Sequence, residues 1–336
     1  MPAMKNTGDE DNRGDGEEER LTQTFSQSLA STIKPIDLQI RWLSAPLHAC
    51  SYLSMLRFIF AWFVALTVLP ISVIGYDEIE TQLHRIWKHS SAELEADKNP
   101  CLRSSFRFAD ERQEDAFITN FINSIQDLSG GVSKPRQRAT GLLAKAALVL
   151  PTLGDFAETG LNAGSTACIM MLMLLRYDNC QRMFWGFDSF AGLPNNITKE
   201  DGVWGVAGKG GDMAVSQERF ETNMKRWGAW NDSRIVISKG YFSETLPVSR
   251  VDKISFLRLD GDIFVSTWEA LEFLYHKVVS GGYIYVDDYG SFEGCREAVD
   301  KFRAKHQIYE PLHFIREENQ VKYIMFEAVW WKKRLL

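Results

Sequence analysis

Hydrophobic residues in the second half of the chain form short runs of strand length, with longer amphipathic or apolar segments between them. The short runs predict β-strands at 154–158, 183–188, 234–238, 254–260 and 283–287. The longer segments predict helices at 136–149, 164–176, 215–227, 266–279 and 295–306. Runs at 313–316 and 322–326 predict an antiparallel terminal pair of strands. This alternation is typical of a doubly wound α/β fold with a mostly parallel sheet.

Acidic residues follow three of the predicted strands. The strand at 183–188 ends at Asp188, the strand at 254–260 ends at Asp260, and the strand at 283–287 ends at Asp287, which Asp288 follows. The carboxyl ends of parallel strands form the ligand-binding edge of such a sheet. Two carboxylates about 4 Å apart repel by roughly 4 kcal/mol at an effective dielectric of about 20, so a cluster needs shared protons or a bound cation. We therefore predict a divalent-metal site at Asp260, Asp287 and Asp288, whereas Asp262 is interpreted as a cap of the next helix.

The turn after the first predicted strand has the composition of a cofactor loop. Gly160 and Gly164 let the backbone approach a ligand and start a helix tightly. The GxGxxG pattern of dinucleotide sites is missing, and Glu158 would repel a phosphate. Asp188 ends the second strand, from which a carboxylate commonly holds ribose hydroxyls. These features favour a positively charged nucleoside without phosphates, which is the chemistry of S-adenosylmethionine.

Composition and charge narrow the class of protein. The chain has 336 residues and a formal net charge of -6, which argues against a dedicated nucleic-acid surface. Much of the negative charge lies near the start, so residues 1–50 are expected to form an acidic, largely disordered head. The odd count of five cysteines excludes a fully paired disulfide framework.

A membrane anchor is expected at 51–76, because residues 58–74 carry no charge. As a helix this stretch would span about 25 Å, slightly less than the roughly 30 Å hydrocarbon core, and a buried or interfacial helix is the alternative. Basic residues before it favour a cytosolic N-terminus. Two N-glycosylation sequons would then lie in a lumen, as in a single-pass protein of the secretory pathway. Residues 77–135 are expected to form a helix-rich connection to the main domain at 136–336.

Five separated blocks of sequence resemble one known family. They are DFAETG at 155–160, GFDSFAGLP at 186–194, GYFSETLP at 240–247, LRLDGD at 257–262 and DDYG at 287–290. In this order they are similar to the macrocin O-methyltransferase (TylF/MycF) family. The resemblance covers about half the chain, 154–326, and leaves the first 135 residues unexplained.

The resemblance implies a class I fold that uses S-adenosylmethionine and a divalent metal, usually magnesium, to methylate a sugar hydroxyl. By motif position Asp260, Asp287 and Asp288 would bind the metal, and Asp260 would accept the proton from the hydroxyl. Ala163 precedes Gly164 where the family often has a basic residue followed by two glycines. The expected cofactor contacts are Glu158, Thr159, Gly160, Gly164, Ser165, Asp188 and Ser189.

Two other functions fit parts of the pattern. The DGD at 260–262 matches the DxD motif of metal-dependent glycosyltransferases, some of which are membrane anchored. A methyltransferase-like protein that binds without turnover would keep the same residues. For the preferred interpretation, an O-methyltransferase, the expected partner is a sugar-containing acceptor. A homo-oligomer is compatible with the sequence, and no nucleic acid is expected.

Overall fold

The computed structural model describes residues 100–102, 111–128, 130–195, 197–202, 210–316 and 326–335. The predicted head at 1–50 and anchor at 51–76 lie outside these residues. Seven strands in the described part form one sheet in the order β3-β2-β1-β4-β5-β7-β6. They are β1 (Asp155–Thr159), β2 (Phe184–Asp188), β3 (Ile235–Lys239), β4 (Ile254–Leu259), β5 (Val278–Val286), β6 (His313–Ile315) and β7 (Ala328–Lys332).

The first five strands pair in parallel, and β7 pairs antiparallel with both β5 and β6. This confirms the predicted doubly wound, mostly parallel sheet with an antiparallel end. The helices around it are α1 (Glu111–Ser124), α2 (Lys134–Leu148), α3 (Ser165–Tyr177), α4 (Gln217–Arg226), α5 (Phe242–Thr245), α6 (Phe264–Leu274) and α7 (Glu293–Lys305).

Alternation along the strands builds a separate hydrophobic core on each face of the sheet. Phe156 packs in the core that includes α2 and α3, whereas its neighbour Ala157 packs in the core that includes α6 and α7. Trp330 and Trp331 in β7 divide between the same two cores. Successive strand residues point to opposite faces, so short, almost wholly apolar strands can serve both layers.

Two boundaries differ from the sequence prediction. The helix predicted at 266–279 is α6, which ends at Leu274, and β5 already begins at Val278. Val278 pairs with Ile254, because a β-branched residue at the end of the helical pattern extends the sheet instead. The partner of β6 is β7, which lies later in the chain than the predicted 322–326. Most of that predicted strand, 322–325, lies outside the described residues.

The membrane prediction is corrected. Within the described part of the chain, every helix is too short or too polar to cross a bilayer. This finding overturns the predicted single-pass membrane protein with a luminal domain, and with it membrane association through 51–76.

A disulfide joins Cys101 to Cys180, which are separated by 79 positions in sequence. Next to it, Leu102 forms an isolated antiparallel bridge with Asp178. Cys168 and Cys295 are buried free thiols. The odd count in the sequence is therefore compatible with one structural cross-link, which spacing alone did not identify.

Candidate active site

The site lies where β1, β4 and β5 end side by side. Thr159 is in register with Leu259, and Leu259 with Val286. The main-chain ladder continues one residue further, because Asp260 N–H donates to Thr159 O and Asp287 N–H donates to Leu259 O, both at 2.9 Å. Above this edge is a cavity of about 390 Å³, within the usual range for small-molecule sites.

The cofactor loop occupies one side of the cavity. Gly160 has φ 81°, and a Cβ there would collide with the carbonyl oxygen of Asp260, so only glycine fits. Asp188 Oδ2 accepts from Leu161 N–H at 2.7 Å and from Asn162 N–H at 3.2 Å, which fixes the loop against β2. Its Oδ1 accepts from Phe190 N–H at 2.6 Å. Asp188 therefore shapes the loop as well as facing the cavity.

The predicted cofactor residues fall into two groups. Gly160, Ser165, Asp188 and Ser189 line the cavity. The other three, Glu158, Thr159 and Gly164, support this wall from behind: Glu158 and Thr159 are fully buried, and Gly164, with φ 95°, is the N-cap of α3.

Arg258 lies in the sheet directly below the cavity. It is in register with Glu158 on one side and Tyr285 on the other, so all three side chains share one face. Its guanidinium donates to Glu158 Oε1 at 3.0 Å, Asp260 Oδ2 at 2.7 Å and Asp287 Oδ1 at 2.6 Å. One fully buried cation thus holds acids from three neighbouring strands, and they keep its pKa above the usual value.

Both carboxylate oxygens of Asp287 form ion pairs with arginines. Arg136, in the first turn of α2, donates to Oδ2 at 2.5 Å, while Arg258 and the Tyr285 hydroxyl donate to Oδ1. Ser133 caps α2 by accepting from Arg136 N–H, which fixes the start of that helix. The predicted metal ligand Asp287 is therefore part of a buried ion-pair network.

Three carboxylates meet at the cavity, and of these Asp260 contacts Arg258. Asp260, Asp262 and Asp288 each offer an oxygen, and these oxygens lie within 4.8 Å of one another. Burial, then neighbouring carboxylates, raise the pKa of Asp262 to about 8. The same causes raise the pKa of Asp260 and of Asp288. Three hard oxygen donors crowded in this way fit a magnesium ion.

The prediction that Asp262 caps a helix is wrong. The N-cap of α6 is Ile263, and Asp262 instead adopts φ 58°, with its N–H donated to Asp288 Oδ2 at 3.2 Å. Aspartate tolerates this left-handed conformation better than most residues. The signal that would have identified it is the spacing of two residues from Asp260, which is the DxD pattern itself.

Two further parts of the cavity wall come from outside the predicted site residues. Arg136 and the preceding glycines Gly130 and Gly131 reach the site from before the first strand, and Glu327 reaches it from just before β7. Ser291 Oγ donates a hydrogen bond to Glu327 Oε1. Neither region carries a recognisable motif. Packing across the sheet brings both regions to the cavity, and a local sequence pattern does not display such packing.

Comparisons with known proteins agree with this geometry. A profile of the family described as macrocin-O-methyltransferase (TylF) matches residues 143–333. A demethyldecarbamoylnovobiocin O-methyltransferase from Streptomyces niveus is 39% identical over 165 residues, 47% of this chain and 62% of the relative. A mycinamicin III 3''-O-methyltransferase from Micromonospora griseorubida is 30% identical over 187 residues, 54% of this chain and 68% of the relative.

The solved structure of the O-methyltransferase NovP is similar in fold, with a TM-score of 0.55 and 30% identity over 60% of this chain and 81% of that chain. The present chain spans about three fifths of the first two curated relatives it matches, 62% and 61%. The family match covers more than half of the chain and includes every strand of the sheet and all the acids at its edge. The chain therefore belongs to the macrocin O-methyltransferase (TylF) family.

Proposed function

We propose that the protein is an O-methyltransferase that moves a methyl group from S-adenosylmethionine to a hydroxyl of a sugar or glycosylated acceptor, with a divalent cation, magnesium, at the acidic cluster. The observation that carries this is the juxtaposition of two elements in one cavity. The cofactor loop at Gly160 and Asp188 and the carboxylates of Asp260, Asp262 and Asp288 line the same cavity. A donor and an acceptor hydroxyl held on these two sides would lie next to each other.

The cofactor loop suits a phosphate-free nucleoside. Gly160 lets the ligand lie against bare backbone, and Asp188 and Ser189 present oxygens that can accept from ribose hydroxyls. Glu158 lies behind the loop, and burial raises its pKa to about 7. When bound, S-adenosylmethionine supplies an electrophilic methyl group on a sulfonium, and the acids around the cavity favour that positive charge.

Asp260, Asp262 and Asp288 would hold the cation, which would orient the acceptor hydroxyl and lower its pKa. Asp260 is fixed by Arg258 at 2.7 Å and suits the role of a stationary ligand. We assign the proton-accepting role to Asp262 in preference to Asp260. Asp260 Oδ2 already accepts from Arg258, whereas the Asp262 carboxylate makes no hydrogen bond within the described part of the chain, so one of its oxygens can accept the proton of the acceptor hydroxyl.

The relatives support the acceptor class. Related proteins are named for methylation at a 3''-position of mycinamicin III and at the 4'-position of a rhamnosyl-tetracenomycin C. In this chain the segment after β2, including Gly192, Leu193, Pro194 and Met213, lines the cavity beside the acids. We propose that this segment contacts the sugar.

Methyl transfer from labelled S-adenosylmethionine to a panel of glycosides, with magnesium or with EDTA, tests the proposal. We expect turnover that EDTA abolishes and magnesium restores. Asp262→Asn should lower kcat by roughly 100-fold to 10,000-fold, the usual contribution of an acid–base residue. Glu272→Gln, an acid on α6 paired with Lys305 at 3.1 Å outside the cavity, should retain wild-type turnover.

Four outcomes would contradict the proposal or a part of it. Full turnover by Asp262→Asn would remove Asp262 from the mechanism, and turnover in EDTA would remove the metal. Cofactor binding with no turnover on any glycoside would favour the non-catalytic alternative. Thermal stabilisation by UDP-sugars but not by S-adenosylmethionine would favour a glycosyltransferase, for which the family match offers no support.

A further inference from the structure

Asp201 is a buried carboxylate that the reaction chemistry leaves without a role. It ends a short 3-10 turn, Lys199–Asp201, in the segment after β2, and its exposed fraction is 2%. Oδ2 accepts from Thr198 N–H at 2.8 Å and from the Thr198 hydroxyl at 3.1 Å. Oδ1 accepts from Phe264 N–H at 2.6 Å. Asp201 thus connects two segments that are 63 residues apart.

Phe264 is the first residue of α6 and follows Asp262 by two positions. The bond from Asp201 therefore fixes the backbone just after the carboxylate loop. The start of α7 meets the same point: a Cβ at Gly294 would collide with Asp201 Oδ1, and one at Gly202 would collide with Glu293 Oε2. The segments that follow β2, β4 and β5 converge on this one side chain.

We propose that Asp201 is a positioning residue that fixes the acceptor-side segment at 197–202 relative to the carboxylates at 260–262. This inference rests on the proposed function, because it assigns Asp201 a task in metal and acceptor binding. Asp262 has a left-handed φ, and its carboxylate makes no hydrogen bond within the described part of the chain, so the direction of the side chain depends on where the loop is held. Asp201 supplies that constraint.

The first experiment replaces the carboxylate. An asparagine at 201 keeps only one acceptor oxygen, so Asp201→Asn cannot serve both Phe264 N–H and the two Thr198 donors. We expect Mn²⁺ affinity, measured by electron paramagnetic resonance on the full chain, to fall about tenfold, the lower end for residues that orient metal ligands. The KM for the acceptor should rise by a similar factor, while the Kd for S-adenosylmethionine stays within about twofold.

Glu200→Gln is the matched control. Glu200 lies in the same turn and loses the same charge, but its carboxylate pairs with Lys301 on α7 at 3.5 Å. We expect wild-type Mn²⁺ affinity for this variant. Equal Mn²⁺ affinities in Asp201→Asn and Glu200→Gln would overturn the inference.

A second pair of variants removes the same hydrogen bond from the other side. Phe264 occupies the first helical position, where proline is best tolerated, and Ile263 before it is already extended, with φ -100° and ψ 164°. Phe264→Pro deletes the N–H that Asp201 accepts, whereas Phe264→Ala removes the ring and keeps the N–H. The inference requires weaker Mn²⁺ binding in the proline variant than in the alanine variant, and equal binding overturns it even if Asp201→Asn fails to fold.

The results separate this inference from the proposed function. A wild-type chain that binds Mn²⁺ but methylates no acceptor would reject the proposed function, and the Mn²⁺ comparison would still decide the role of Asp201. A wild-type chain that binds no Mn²⁺ would overturn the metal site and the inference together.

Discussion

Replacing Arg258 with methionine is the most direct test of how the acids are held in place. Methionine fills a similar space, but it removes the only cation that contacts Glu158, Asp260 and Asp287 together in the described part of the chain. Arg136 would still neutralise Asp287 from the other side. Glu158, fully buried, would lose its paired charge.

The burial of Arg258 and its partners sets the size of the expected loss of stability. Removing one partner of a buried ion pair costs about 3–5 kcal/mol, because a buried charge is left unpaired. A domain of 150–250 residues loses roughly 2–4 °C of Tm per kcal/mol, so Arg258→Met should melt roughly 6–20 °C below the wild type. Arg258→Lys keeps the charge but has no planar fork to reach three acids, so it should fall in between.

The assay is a thermal melt of each variant with EDTA and with magnesium. Arg234→Met is the matched control, because Arg234 is equally buried and pairs with Asp178 at 2.6 Å at the opposite edge of the sheet. Both methionine variants should melt early. Only Arg258→Met should recover part of the loss with magnesium, since its extra negative charge lies beside the proposed metal site. A Tm within about 2 °C of wild type, or equal recovery in both variants, would refute this reasoning.

Three further predictions concern the cofactor, pH and the disulfide. Asp188→Asn removes charge-assisted bonds worth about 1.5–3 kcal/mol to the cofactor loop, so the Kd for S-adenosylmethionine by calorimetry should rise roughly 10-fold to 100-fold, and an unchanged Kd would contradict this. The pKa of Asp262 is raised to about 8, so the folded chain binds more protons than the unfolded chain between about pH 4 and 8, and the stability that this group contributes falls as pH rises. The Tm in EDTA should therefore be lower at pH 8 than at pH 6, and magnesium should raise the Tm more at pH 8. A Tm in EDTA that does not change between pH 6 and 8 would argue against the pKa shift. Cys101→Ser opens a loop of 79 positions, for which chain entropy predicts a loss of about 4.5 kcal/mol and a Tm lower by roughly 9–18 °C, while a reductant should lower the Tm of the wild type and not of the variant.

The sequence identified the sheet and most of its ligand-binding edge, because both depend on local pattern. Apolar runs that end in acids predict parallel strands, and period-two alternation places Glu158, Asp260 and Asp287 on one face. Which acids share a cation was beyond this reasoning. The pairing of Asp287 with Arg136 joins positions 151 apart and depends on how α2 packs over the sheet.

Asp262 and Cys101 show the same limit at closer range. A left-handed φ turns Asp262 toward the other carboxylates, although its position before a helix suggested a cap. Cys101 meets Cys180 because a β-bridge brings Leu102 to Asp178, and no spacing rule contains that contact. Backbone conformation and tertiary pairing decided these cases, and a single sequence does not display either.

The backbone at Asp260 and Asp287 is anchored by main-chain hydrogen bonds, as when Asp260 N–H donates to Thr159 O, in addition to the arginine contacts of their side chains. Replacing the carboxylate at 260 with its amide therefore leaves the backbone path through the proposed reaction centre in place. An inert Asp260→Asn protein should consequently be a faithful host in which intact donor and intact acceptor can be crystallised side by side.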